Sequence, residues 1–162
     1  MAIKRIVEQP GREMRELTNI SASTEALKHI LADSYVLLVL IQNVHWNAEG
    51  SGFIATHKLL DEQYEDISEA IDMIAERIRS LGEDAPASLE SFIALSRLTE
   101  SKAIKEVDAG GRVLADAHES LAALLLDHIK VLENDNDVGT IDLLTDRVRE
   151  HDKAAWLLRS NL

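Results

Sequence analysis

Residues 43–76 read NVHWNAEGSGFIATHKLLDEQYEDISEAIDMIAE. The segment opens with His45-Trp46-Asn47, turns at Gly50-Ser51-Gly52, and then carries His57, Asp61, Asp72 and Glu76 along one helical pattern. Each helical position advances by about 100°, so with His57 as zero, Asp61 falls near about 40°, Asp72 near about 60° and Glu76 near about 100°. Leu60, Ile67, Ile71, Ile74 and Ile78 fall between about −40° and −100°, the side expected to face a core. A polar stripe therefore runs beside the apolar one. Ser68 and Ala75 lie inside that polar stripe and are small, which leaves room for a second helix to approach.

Imidazole nitrogens combined with carboxylate oxygens suit a redox-active transition metal such as iron better than calcium, which prefers oxygen alone. Distance limits how such a site can be built. His57 and Asp72 are 15 positions apart, about 22 Å along a straight helix. One metal cannot bridge that gap. If the helix carrying His45 packs antiparallel to the next, His45 comes near His57, while Asp72 and Glu76 stay turns away. All four can serve one centre only if two chains contribute, the histidine pair from one and the carboxylate pair from another.

The His45-Trp46-Asn47 triplet, the 12-residue step to His57, and then Asp61, Asp72 and Glu76 followed by Arg77 resemble the signature of the Dps mini-ferritins, the DNA-binding proteins from starved cells. Helix order and lengths extend the resemblance from about Ser21 to Leu162. It implies an all-α, ferritin-like four-helix bundle with a long crossover between the second and third helices that contains a short helix. It also implies a hollow dodecamer with ferroxidase centres at subunit interfaces. There Fe(II) is oxidised, preferentially by hydrogen peroxide, and stored as ferric mineral, which protects DNA. His45, His57, Asp72 and Glu76 would be the iron ligands, Asp61 a ligand of a second, weaker iron or an orienting group. Trp46 would lie beside the iron.

Composition fits this picture. With 162 residues and 46% hydrophobic content the chain suits one domain with a substantial core. Cysteine is absent, which excludes disulfides and thiolate metal sites. No basic start followed by an apolar stretch marks export, and the apolar run at 36–41 is far shorter than the roughly 20 residues that span a bilayer. A cytoplasmic protein, free or nucleoid-associated, is the expectation. The formal net charge of −12 attracts cations and repels nucleic acid.

Residues 1–20 are expected to form an N-terminal tail ahead of a bundle domain over 21–162. The tail sets Lys4, Arg5, Arg12 and Arg15 against Glu8, Glu13 and Glu16, with Pro10-Gly11 as a breaker. It is close to balanced and has no lysine cluster, so a DNA-compacting nucleoid protein is the competing class rather than the leading one. Hydroxyls at Ser21-Ala22-Ser23-Thr24 predict the start of the first helix. Gly82 predicts the end of the second. Pro86 and an amphipathic stretch at 88–95 lie in the crossover, as required when neighbouring helices run parallel. The third helix is expected to begin near Gly110-Gly111 with Asp108 as a cap. The fourth carries Ile141, Leu144, Val148, His151, Ala155 and Leu158 at steps of three and four.

Asp137, Asp142 and Asp146 crowd the start of the fourth helix. They suit an N-cap and the positive end of the helix dipole, and matching aspartates in the resembling family line a threefold pore by which iron enters. Glu62 reads equally as surface charge or as a mineral-nucleating group near the site. His29, His118, His128 and His151 have no partner spacing and read as structural. None completes a Glu-x-x-His pattern, which disfavours a di-iron site built within one subunit.

Overall fold

The structure is a computed structural model that describes residues 10–133 and 137–162, with side chains described from Ala22 onward. Helix α1 spans Pro10–Asn47, α2 Phe53–Ser80, the short α3 Leu89–Leu95, α4 Val107–Leu132 and α5 Val138–Ser160. Among the described residues no strand forms; an isolated parallel bridge joins Glu49 to Glu106. No described helix is long and apolar enough to cross a membrane.

Helix α1 starts at Pro10, ahead of the expected start at 21–24. Proline's fixed φ suits a first helical position, and Ser23 and Thr24 are buried inside the helix rather than capping it. The backbone of 10–20 thus continues α1, while residues 1–9 of the expected tail lie outside the described residues. Helix α2 begins after Gly50 and Gly52, at φ of 106° and 80°, and stops before Gly82 at 94°. Side chains rarely adopt this left-handed region, so both glycines of the turn are needed to reverse the chain so tightly. Leu60, Ile67, Ile71, Ile74 and Ile78 are all buried, as the stripe predicted.

Helix α4 begins at Val107, earlier than expected, with Glu106 at its N-cap and no side-chain cap. Gly110 and Gly111 sit inside it. A glycine in a helix costs about 1 kcal/mol, but here it permits close approach. A Cβ on Gly110 would lie 2.5 Å from Val44 Cγ1 of α1.

The ends of the elements fix their directions. Val44 near the end of α1 meets the start of α4, and Asn161 Nδ2 donates to Thr56 Oγ1 in the first turn of α2 at 2.8 Å. One end of the bundle therefore gathers the end of α1, the starts of α2 and α4, and the end of α5. Helices α2 and α4 run parallel, and the segment between them must return the length of the bundle. It is pinned on the way. Asp33, fully buried in α1, accepts from Ser96 Oγ, the Arg97 backbone N–H and the Arg97 guanidinium, while Phe92 stacks on Tyr35 at 4.0 Å. Asn43 then holds the last stretch, donating to the carbonyls of Ser101 and Lys102 and accepting from the Ile104 N–H. The crossover thus packs against the turn of α1 that carries His45.

Candidate metal centre

The reversal at Gly50-Ser51-Gly52 brings the last turn of α1 beside the first turns of α2. His45 and His57 stack with ring centroids 3.9 Å apart and planes 13° from parallel. Phe53 closes one side, its ring 5.1 Å from that of His57. His57 Nδ1 lies 3.2 Å from the backbone oxygen of His45. A carbonyl only accepts, so Nδ1 carries the proton and Nε2 presents a lone pair. His45 Nε2 lies 3.5 Å from Asp61 Oδ1, and His45 Nδ1 is buried with no hydrogen-bond partner among the described residues.

Ligand atoms of His45, His57 and Asp61 all lie within 4.8 Å of one another. Among the described residues no other set of three His, Asp or Glu side chains converges this closely. His45 Nε2 faces the acceptor-only carboxylate of Asp61, and with the ring's proton on Nδ1 two lone pairs oppose each other, an arrangement that a cation between them satisfies. The donor set of two imidazoles and a carboxylate is that of a first-row transition ion.

Asp72 and Glu76 stand apart from this cluster. Both are exposed on α2, and Asp72 lines a groove of about 330 Å³ together with Ser68, Ala75, Tyr35 and Phe92. Trp46 is 70% exposed, turned away from the core at the end of α1. Glu62 points elsewhere, lining a cavity with Gln63 and His118.

The aspartates at the start of α5 divide. Asp137 is the N-cap, accepting from the Thr140 backbone N–H at 3.1 Å and from Thr140 Oγ1 at 2.6 Å, and it pairs with Arg77 at 2.6 Å. Burial pushes its carboxyl upward, but the Thr140 hydrogen bonds and the Arg77 guanidinium outweigh this and hold it below its ordinary value. Both oxygens are engaged within the chain. Asp142 and Asp146 are exposed, Asp146 against Arg149 one turn on.

The remaining histidines are less uniform than the sequence indicates. His29 Nδ1 meets the Leu95 carbonyl at 2.9 Å, and His128 Nε2 approaches Arg97 at 3.3 Å, both tying α1 and α4 to the crossover. His118 and His151 form a buried pair, Nδ1 to Nδ1 at 2.9 Å. Burial, and secondarily the nearby Arg147, lowers His118 to about 4. Burial, His118 and Arg147 place His151 well below its ordinary value too. The available signal was position: each histidine falls on the apolar seam of its helix.

A bundle of four long helices with a long crossover and a histidine–carboxylate cluster at one end defines a ferritin-like protein. Residues 24–162 match the ferritin-like domain family. An uncharacterized low temperature-induced protein of Nostoc sp. is 42% identical over 137 residues, covering 83% of this chain and 76% of that one. The DNA protection during starvation protein of Helicobacter pylori is 31% identical over 140 residues, covering 85% and 96%. The crystal structure of the Dps protein of Vibrio cholerae, described as a member of a broad superfamily of ferritin-like diiron-carboxylate proteins, superposes with a TM-score of 0.84 at 26% identity, covering 88% and 90%. The chain belongs to the Dps family of ferritin-like proteins.

Proposed function

We propose that this protein is a ferroxidase and iron store that assembles as a hollow dodecamer. Fe(II) is its substrate. One subunit supplies His45, His57 and Asp61, and a neighbour supplies Asp72 and Glu76. The convergence of the two imidazoles and Asp61 at the bundle end, with the other two carboxylates exposed and out of reach, carries this reading. A groove lined by small Ser68 and Ala75 beside Asp72 is the kind of surface a neighbouring helix can enter.

The chemistry follows from the ligands. Imidazoles hold Fe(II) during loading, and the harder Fe(III) gains more from anionic oxygen. With two Fe(II) held together, each loses one electron and the O–O bond of hydrogen peroxide takes both; two protons complete two waters. No hydroxyl radical is released. Ferric ions then pass to mineral. Asp142 and Asp146 draw Fe(II) inward, while Asp137, bound to Arg77, fixes the start of α5 that carries them. Protection of DNA follows from removing both reagents. A net charge of −12 argues against direct contact with phosphates.

The test is anaerobic loading with Fe(II) followed by a pulse of peroxide. Ferric absorbance is expected to rise rapidly in the unsubstituted protein and to slow by roughly 100-fold in His57→Ala, Asp72→Ala, since second-sphere changes alone already cost ~10–100-fold. Equal rates would remove this centre from the reaction.

A further inference from the structure

Unpartnered buried polar atoms gather at one place besides the His45 cluster. A cavity of about 70 Å³ opens between α2, α4 and α5. Gln63 and His118 line it, 7% and 3% exposed. Among the described residues neither amide atom of Gln63 has a hydrogen-bond partner, and neither does His118 Nε2. Each such atom left unsatisfied costs about 1–3 kcal/mol. The volume exceeds the roughly 10–15 Å³ that one water requires, so an ion with part of its hydration fits.

Local charge decides between cation and anion. Asp66 is neutralised by Arg147 at 2.6 Å, and Glu150 by Lys153 at 3.2 Å. Glu62, on the same cavity, has no ion-pair partner among the described residues. Glu62 therefore leaves the mouth of the cavity acidic, while deeper in, beside His118, the Arg147 charge outweighs that of Asp66; a cation is drawn to the mouth and held by lone-pair donors within. An imidazole nitrogen excludes calcium as the natural occupant and selects a borderline transition ion.

The histidine pair prepares the ligand. Only one proton fits between the two Nδ1 atoms, and when His118 donates it, Nε2 presents a lone pair. A hydrogen bond on the far ring nitrogen is how metal-binding imidazoles are oriented.

We propose that this cavity is an intrasubunit site for a divalent first-row transition ion, held by His118 Nε2 and Gln63 Oε1. Glu62 supplies a carboxylate at the mouth, and water completes the shell. Every protein ligand comes from one chain, so the site is independent of the intersubunit centre.

Zinc and cobalt(II) are the probes, applied to the full chain carrying His45→Ala, His57→Ala and Asp61→Asn so that the first centre cannot contribute. Cobalt is expected to bind at about one ion per chain in this cavity, with the visible absorption of a nitrogen–oxygen site. A crystal soaked in zinc is expected to show an anomalous peak beside His118 Nε2. Affinity falls by about 10-fold or more in Gln63→Leu and is lost in His118→Phe. Should His118→Phe not fold, Gln63→Leu and the zinc map decide. Affinity unchanged by Gln63→Leu, or a map with only water beside His118, overturns the site.

Discussion

A single proton governs much of what the histidines do here. His57 is locked as the Nδ1–H tautomer by one carbonyl, which aims its other nitrogen outward. His118 and His151 are held neutral by burial, with Arg147 and its partner Asp66 as the charged groups nearby. The stability effect has a definite sign. Unfolded histidine binds a proton near pH 6.5, and folded His118 does not until about 4. Below pH 6.5 the unfolded state therefore binds more protons, so stability is fully present above that pH and is lost on descending toward 4. For His118 the loss is of the order of 3 kcal/mol. Urea unfolding at pH 7 and pH 4.5 is expected to show this difference, and a His118→Phe, His151→Leu chain to show a smaller one. An equal loss in both chains would assign the effect to other groups.

At the scale of elements, the turn that carries His45 and His57 depends on how closely α1 and α4 approach. Gly110→Ala gains helix propensity but drives a methyl into Val44, next to His45 in sequence. Overpacking costs about 1–3 kcal/mol, so unfolding is expected at lower urea and ferric absorbance to appear more slowly. Adding Val44→Ala is expected to restore both. A neutral Gly110→Ala would mean the helices can part without disturbing the site.

This approach also marks where sequence stops being legible. The stripe of Leu60, Ile67, Ile71, Ile74 and Ile78, the turn at Gly50-Ser51-Gly52 and the stop at Gly82 are local patterns, and each appears in the structure where periodicity or φ preference puts it. Gly110 and Gly111 read as a helix boundary because their reason for being glycine lies far along the chain, at Val44 in α1 and at Leu162 just beyond α5. Likewise Arg77 and Asp137 are 60 residues apart, and nothing local shows that they meet. The cluster of His45 with His57 was legible because one short turn joins them. The pairing of His118 with His151, 33 residues apart on separate helices, was not.

For the whole molecule, the proposed centre needs a second chain to complete it. It exposes Val39, Trp46, Ile54, Tyr64 and Met73 along α1 and α2. Such apolar surface on the helices that carry the candidate ligands is what an interface would cover. Co-assembling chains that lack both histidines with chains that lack Asp72 and Glu76 is expected to restore ferroxidation at a fraction of the interfaces. If mixed particles, confirmed by mass, stay as inactive as either parent, the shared centre is wrong.

The most direct measurement is anomalous scattering at the iron edge from a crystal soaked anaerobically in Fe(II). The account predicts a peak bonded to the imidazoles of His45 and His57 of one subunit and to the carboxylates of Asp72 and Glu76 of its neighbour. Iron bound only by groups of a single chain, or no iron between those two sets across any contact of the assembled particle, would contradict it.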